Sequence, residues 1–219
     1  MRLYLSSFRL GDNTQALTEL APLPGPAVVI ANAIDAAPSE DRAKRVAEEL
    51  DRVAGLGYEV SELDLRDYLS DRAGLADRLA AAALVWVRGG NVFVLRHLLA
   101  VTGADELIRE HLARDTFCYG GYSAGPCVLG PHLRGLEICD PVAELAQAYG
   151  AQARFDGLGV LDRVVVPHLD SPDHFETAVL SRVAESHEAA GEPYLGLRDG
   201  DVWLVDGDPA AGRLLPRRQ

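Results

Sequence analysis

The sequence predicts an α/β protein whose mostly parallel sheet is covered by helices on both faces. Short apolar runs alternate with amphipathic helical stretches over the first 120 residues, as in a doubly wound sheet. The composition, 48% hydrophobic and 25% charged, is that of an ordinary folded protein. A chain of 219 residues can bury a sizeable core as one unit, so we expect one domain over residues 1–219.

Five apolar runs supply the first five predicted strands. They cover residues 2–8, 27–34, 58–63, 83–87 and 116–119. The intervening helices are predicted at residues 39–54, 71–81 and 92–113. Ser39 can cap the first helix, in which Val46 and Leu50 fall on one face. The third helix should break near Gly103, because glycine interrupts a helix.

The rest of the chain is less regular. Weak periodicity and many glycines predict mostly loop over residues 130–159, around a small strand near 136–139. A further strand and helix are predicted at residues 163–167 and 173–189. Residues 194–197 and 202–205 flank Asp199-Gly200, which suits a tight turn, so we expect a C-terminal β-hairpin.

Charge and hydropathy limit the partners and the location. The net charge of −12 repels nucleic-acid phosphates and anionic membrane surfaces, so we expect neither as a partner. No apolar stretch approaches the roughly 18 residues of a membrane span, and the start of the chain becomes polar too quickly for a signal peptide. We expect a cytoplasmic protein, either a monomer or a homodimer.

The three cysteines do not indicate a disulfide framework or a zinc site. Cys118, Cys127 and Cys139 are odd in number and lack Cys-x-x-Cys spacing, so we expect them to act as small apolar residues. The turn near Gly89 lacks the third glycine of a dinucleotide fingerprint. Since no spacing of histidine, cysteine and acidic residues suggests metal ligands either, we expect no metal and no organic cofactor.

Residues 117–126 read Phe-Cys-Tyr-Gly-Gly-Tyr-Ser-Ala-Gly-Pro. An apolar run stops at glycines and a helix follows, which is the pattern of a nucleophile elbow with Ser123 at its tip. Such a turn strains its central residue and needs glycine neighbours for room. The N–H groups after the serine can supply part of an oxyanion site. Because similar turns are common, a hydrolase interpretation also requires a base and an orienting acid.

A serine nucleophile needs an imidazole within hydrogen-bond reach. Among the six histidines, His168 directly follows the strand predicted at 163–167, and open α/β sheets build their sites at the carboxyl ends of strands. We therefore predict His168 as the base and keep His174 as the reserve candidate. A serine–lysine dyad would need Lys44, the single lysine, which lies far upstream in a charged helix.

A second glycine pair, Gly89-Gly90, ends another predicted strand and precedes Asn91. Two glycines leave backbone N–H groups unshielded, as an oxyanion hole requires. The same residues fit an ordinary strand-to-helix turn in which Asn91 caps the next helix. The sequence leaves both interpretations open.

Taken in order and spacing, four segments resemble peptidase E, the aspartyl dipeptidase family of serine peptidases. They are Gly-Gly-Asn after a strand, the Gly-Tyr-Ser-Ala-Gly elbow, Pro-His after a later strand and a Leu-x-acid-Gly segment near the end. The resemblance covers most of the chain. It implies a three-layer α/β/α sandwich similar to flavodoxin and to the class I glutamine amidotransferases, whose elbow carries cysteine.

The resemblance implies Ser123 as the nucleophile and His168 as the general base. Where the family has a glutamate this chain has Asp199, which would orient the imidazole, and Asp140 and Asp170 are the other acids that could do so. The oxyanion hole is expected in backbone N–H groups of Gly89, Gly90 and Ala124.

Substrate recognition departs from the family pattern. The family binds an N-terminal aspartate through an arginine in a Glu-Thr-Arg context, whereas this chain has Ala178 at the arginine position. A buried bidentate carboxylate contact is worth on the order of a few kcal/mol, so strict Asp-X specificity is not expected. Arg182, one helical turn further on, could substitute, and Asn91 is a further candidate for contact with the substrate.

These observations predict a serine peptidase that hydrolyses dipeptides or short peptides after the N-terminal residue, with a small peptide as its partner. Two alternatives stay open. The missing arginine and the altered acid would also fit an amidotransferase-like protein that binds without catalysis. An α/β-hydrolase esterase would instead use an acid that precedes its histidine in the chain.

Overall fold

The computed structural model, which describes residues 1–218, contains a large sheet and a separate pair of strands. The strands are β1 (Arg2–Ser6), β2 (Pro26–Ile30), β3 (Glu59–Glu62), β4 (Leu84–Val87), β5 (Cys118–Tyr122), β6 (Val164–Val166), β7 (Tyr194–Gly196), β8 (Val202–Asp206) and β9 (Arg213–Leu215). The large sheet has the order β3-β2-β4-β5-β1-β8-β9. The strands from β3 to β1 in this order pair in parallel. β8 pairs antiparallel with both of its neighbours, β1 and β9.

The helices are α1 (Thr14–Leu20), α2 (Ser39–Ala54), α3 (Arg72–Ala80), α4 (Val92–Thr102), α5 (Ala104–Arg114), α6 (Ala124–Cys127), α7 (Val142–Tyr149) and α8 (Thr177–Ala189). The predicted helices are present, and α1, between β1 and β2, is a helix that the sequence did not predict. Gly103, at φ +73°, separates α4 from α5 at the predicted break. Among residues 1–218, no helix is both long and apolar enough to cross a membrane.

The sheet is packed on both faces. Successive side chains of a strand point to opposite sides, so neighbouring residues enter different apolar clusters. Leu5 and Val85 lie in the cluster formed with α3, α4 and α5, whereas Tyr4 and Trp86 lie in the cluster formed with α1 and α2. The predicted α/β sandwich with a mostly parallel sheet is confirmed.

Residues 130–159 contain a helix that the sequence did not reveal. The predicted strand near 136–139 is wrong, because Leu136–Ile138 form a 3-10 turn and α7 follows directly. Leu145 is the one buried residue of α7. The apolar face of this helix is therefore too short to give a clear helical periodicity in the sequence.

The C-terminal hairpin is present, but β8 and β9 form it. The predicted pairing of residues 194–197 with 202–205 is wrong, since β7 pairs in parallel with β6 while β8 pairs with β1. Gly200 does turn the chain, at φ +97°. The turn redirects the chain from the small sheet to the large one, so a locally correct turn led to an incorrect pairing.

This topology brings the candidate residues to one edge of the large sheet, the edge formed by the carboxyl ends of its parallel strands. Ser7 follows β1, Gly89 follows β4 and Ser123 follows β5. Parallel strands place their carboxyl ends on the same side of a sheet. His168 follows β6 of the small sheet, and its backbone N–H donates to Ser7 Oγ, which brings the end of β6 beside the end of β1. The candidate site lies at this edge.

Candidate active site

Ser123 occupies a sharp turn between β5 and α6. Its backbone has φ +54° and ψ −111°, a conformation that costs an L-residue energy and is common at functional sites. The flanking glycines are required by packing, because a Cβ on Gly121 or Gly125 would lie 2.5 Å from the Val87 carbonyl oxygen. The end of β4 therefore presses directly against the turn and fixes the position of the serine.

His168 and Asp199 are joined by a hydrogen bond. His168 Nδ1 lies 2.6 Å from Asp199 Oδ1, and the imidazole is buried. The hydroxyl of Ser7 accepts the His168 backbone N–H at 2.8 Å and lies 2.8 Å from the same carboxylate oxygen, to which it can donate. Asp199 N–H donates to Ser171 Oγ at 2.8 Å. Both partners of this hydrogen bond are thus held through backbone as well as side-chain contacts.

The pKa of Asp199 lies below its ordinary value. Burial raises this pKa, but the hydrogen bond and charge of His168, with the Ser7 hydroxyl, more than offset the effect of burial. The carboxyl group is therefore ionised near neutral pH. An ionised acid on Nδ1 favours the tautomer in which His168 Nε2 is free to accept a proton.

The ring of His174 stacks on the ring of His168. Their centroids are 3.6 Å apart and the planes differ by 2°. Burial, followed by the charge of His168, lowers the pKa of His174. His168, His174 and Asp199 also bring possible ligand atoms within 4.8 Å of one another. Because nitrogen lone pairs lie in the ring planes, two parallel stacked rings do not converge on one metal ion.

Ser123 and His168 line the same cleft, which has a volume of about 200 Å³. Among the residues that the structure describes, no hydrogen bond joins the Ser123 hydroxyl to the imidazole. The cleft is open to solvent, and Phe8 and the exposed Phe175 lie on its walls. The elbow serine and the histidine–aspartate pair are therefore gathered around one accessible volume.

The two glycine-containing turns adjoin each other in the cleft. A Cβ added to Gly89 would lie 2.9 Å from the Ser123 Cβ, which shows how closely the turns approach. Gly90 lines the cleft at φ +146°. Ala124 is the first residue of α6, so its N–H has no intrahelical acceptor. Backbone donors from both turns are thus available close to the serine.

The three candidate substrate contacts lie elsewhere or are already bonded. Asn91 caps α4, since its Oδ1 accepts the N–H groups of Phe93 and Val94, and its Nδ2 donates to Pro141 O and Glu144. Ala178 and Arg182 are exposed on α8 and are not among the residues that line the cleft. A substrate contact by any of the three stays a prediction.

Two acidic side chains, Asp140 and Glu176, line the cleft, a position that the sequence did not predict for either. Asp140 accepts the Val92 N–H at 2.9 Å, and burial raises its pKa to about 7. Burial also raises the pKa of Glu176, while the charge of His168 lowers it. Asp170, the other alternative acid, is exposed and pairs with Arg198. Neither alternative acid is hydrogen-bonded to His168, whereas Asp199 is.

Asp140→Asn is expected to stabilise the protein at about pH 8 more than at about pH 5. The folded-state pKa of about 7 exceeds the ordinary 3.8, so the folded state binds more protons between these values. Stability is therefore lost as pH rises through that window. Asparagine removes the charge and keeps an acceptor for Val92. We expect a gain of about 1–3 kcal/mol at the higher pH, measured by urea unfolding.

The exposed Asp173→Asn provides the matched control, with no pH-dependent gain expected. Equal effects of Asp140→Asn at both pH values would contradict burial as the cause of the raised pKa.

Comparison with known proteins identifies the family. Residues 34–212 match the model of Peptidase family S51, which is more than half of the chain. The chain belongs to Peptidase family S51.

The curated relatives that this chain matches are named as peptidases. An uncharacterized peptidase of Pasteurella multocida is 30% identical over 122 residues, which is 56% of each chain. Peptidase E of Streptomyces coelicolor is 33% identical over 140 residues, covering 61% of this chain and 53% of that protein. The chain thus spans about half the length of the curated relatives it matches.

Two solved structures share the fold of this chain. A Listeria monocytogenes protein assigned to peptidase E has a TM-score of 0.78 at 22% identity, covering 99% of this chain and 98% of that one. A peptidase from an acI-B1 Actinobacterium has a TM-score of 0.68 at 16% identity, covering 100% and 95%. At these identities the likeness concerns the fold.

Proposed function

We propose that this member of family S51 is a serine peptidase that hydrolyses dipeptides or short peptides after a free N-terminal residue. The observation that carries the proposal is that the strained Ser123 and His168 line the same cleft, with His168 Nδ1 2.6 Å from Asp199 Oδ1. The order serine, histidine, acid along the chain distinguishes it from α/β-hydrolase esterases.

The proposed reaction proceeds through an acyl-enzyme. Ser123 Oγ attacks the peptide carbonyl carbon while His168 Nε2 takes the hydroxyl proton, and Asp199 stabilises the imidazolium. The N–H groups of Gly90 and Ala124 would hold the oxyanion. The imidazolium then protonates the leaving amine as the C–N bond breaks. Water, deprotonated by His168, hydrolyses the ester and restores Ser123.

The preference for a free N-terminus is supported by charge. A dipeptide carries an ammonium group next to the scissile carbonyl, and Asp140 and Glu176 line the same cleft as Ser123. A bound ammonium would favour the ionised form of both carboxyls, whose pKa values burial raises. Because Ala178 stands at the family's arginine position, strict Asp-X specificity is not part of the proposal.

A dipeptide panel tests the proposal. We expect Ala-Leu and Asp-Leu to be hydrolysed, and N-acetyl-Ala-Leu to react at least about 100-fold more slowly because it lacks the ammonium charge. Release of free leucine, followed by chromatography, measures each rate. Turnover of the acetylated peptide equal to that of Ala-Leu would contradict the free N-terminus, and no turnover of any peptide would favour a binding protein without catalysis. A cytoplasmic location and the likeness to glutamine amidotransferases stay predictions.

A further inference from the structure

Arg88 binds the carbonyl of the residue that follows it. Its guanidinium NH1 donates to Gly89 O at 2.6 Å, a short contact strengthened by the positive charge. Arg88 directly follows β4, lines the cleft and has a side chain that is 16% exposed. The charge is thus applied to the backbone of the turn beside Ser123.

A buried carboxylate lies beside the other side of the guanidinium, within charge–charge distance but without a hydrogen bond to Nε. Glu49 Oε2 lies 3.9 Å from Arg88 Nε, and the Glu49 side chain is 1% exposed. The same carboxylate accepts from Trp86 Nε1 at 2.8 Å, from Tyr122 OH at 3.3 Å and from Arg52 at 2.5 Å. These contacts fix Glu49 on α2 behind the cleft. Arg88 therefore lies between a buried anion, which attracts its charge, and the Gly89 carbonyl, to which it is hydrogen-bonded.

The bonded carbonyl and the N–H of Gly90 belong to one peptide unit. The Gly89–Gly90 peptide is trans, and in a planar trans peptide the C=O and N–H point in opposite directions. In the part of the chain that the structure describes, no hydrogen bond uses the Gly90 N–H. A peptide between two glycines can also rotate with little steric penalty. A contact on its carbonyl therefore decides which way its N–H points.

We propose that Arg88 is a positioning residue, which holds the Gly89–Gly90 peptide so that the Gly90 N–H stabilises the oxyanion formed at Ser123. The inference rests on the proposed peptidase function and assigns a role to a side chain outside the triad. A substrate carboxylate would be the other natural partner for a cation in the cleft. The two roles differ in kinetics, because positioning acts on the transition state and carboxylate binding acts on the ground state as well.

The test compares Arg88→Met, Arg88→Lys and Arg52→Met with the wild-type enzyme on Ala-Leu. Arg88→Met is expected to lower kcat about 10–100-fold, less than deletion of an oxyanion donor, with KM within about twofold. Arg88→Lys should retain part of the activity, since it keeps the charge without the planar fork. Arg52→Met is the matched control, because Arg52 also pairs with Glu49 but does not contact Gly89. In that variant Trp86 Nε1 and Tyr122 OH still hold Glu49, so kcat should stay within about twofold.

Two further measurements separate positioning from a general structural role. Millimolar guanidinium should restore part of kcat in Arg88→Ala. The boronic acid analogue of alanine, which forms a tetrahedral adduct on a serine, should bind Arg88→Met more weakly by the factor lost in kcat/KM. A higher KM with unchanged kcat, or a wild-type kcat in Arg88→Met, would overturn the inference alone. Absence of turnover and of boronate binding in the wild type would overturn the proposed function and the inference together.

Discussion

Ser123→Ala is expected to lower kcat for Ala-Leu by a factor of about 10⁴–10⁶, the range seen when the nucleophile of a serine triad is removed. The side chain stands at the tip of the strained turn and faces the cleft, so its hydroxyl is the atom placed to attack. Without it no acyl-enzyme can form. The rate that remains would come from the oxyanion donors and from binding alone.

The substitution should leave the fold intact. In the structure of residues 1–218 no hydrogen bond uses the Ser123 hydroxyl, so its loss leaves no buried group unpaired. Ser181→Ala is the matched control, because Ser181 Oγ bonds Thr177 O on α8, and its kcat should be that of the wild type. An unchanged melting temperature for Ser123→Ala shows that the loss is chemical. Turnover above about 1% of wild type would contradict the assignment.

Asp199→Asn is expected to lower kcat by about 10³–10⁴, with a smaller change in KM. Asparagine is nearly isosteric, but it carries no charge to stabilise the imidazolium. Its NH₂ group can also face Nδ1, which forces the proton onto Nε2 and prevents that nitrogen from acting as a base. The rate of dipeptide hydrolysis as a function of pH measures the effect.

Asp170→Asn is the matched control for this substitution. Asp170 lies two residues after His168, yet its carboxylate pairs with Arg198 on the surface, so kcat should change little. Since the pKa of Asp199 is lowered in the folded state, its ionised form, hydrogen-bonded to His168, stabilises the protein above the ordinary pKa of 3.8. This contribution is lost as pH falls through the lowered pKa. A normal kcat in Asp199→Asn together with a large loss in Asp170→Asn or Asp140→Asn would assign the acid elsewhere.

Features that depend on neighbouring residues in the sequence were predicted well. The bounds of α2 agree with the prediction at both ends, because a strong amphipathic pattern ends at a glycine turn. The predicted cap is wrong, since Pro38 occupies the N-cap position and Ser39 is the first residue of the helix. Ser123 and His168 lie where the sequence put them, immediately after β5 and two residues after β6, since an apolar run ending in a polar residue marks the carboxyl edge of a sheet.

Features that depend on distant contacts were missed. Ser7 lies 161 positions from His168, and its hydroxyl gains a partner only when β1 and β6 are folded. Arg88 gives no local signal in the sequence, because its approach to Glu49 is formed only when α2 packs on the sheet. The Asp199-Gly200 turn was correctly located, but a local turn does not specify which strands then pair.

Covalent labelling with a fluorophosphonate is the most direct test of Ser123 as the nucleophile, because the reagent phosphonylates an activated serine whatever peptide the enzyme prefers. Trypsin should release residues 115–134 as one peptide, and fragmentation by mass spectrometry identifies the modified residue. We expect a single adduct on Ser123, absent from Ser123→Ala and formed much more slowly by His168→Ala. An adduct on a different residue, or dipeptide hydrolysis that continues with Ser123 unmodified, would contradict this assignment.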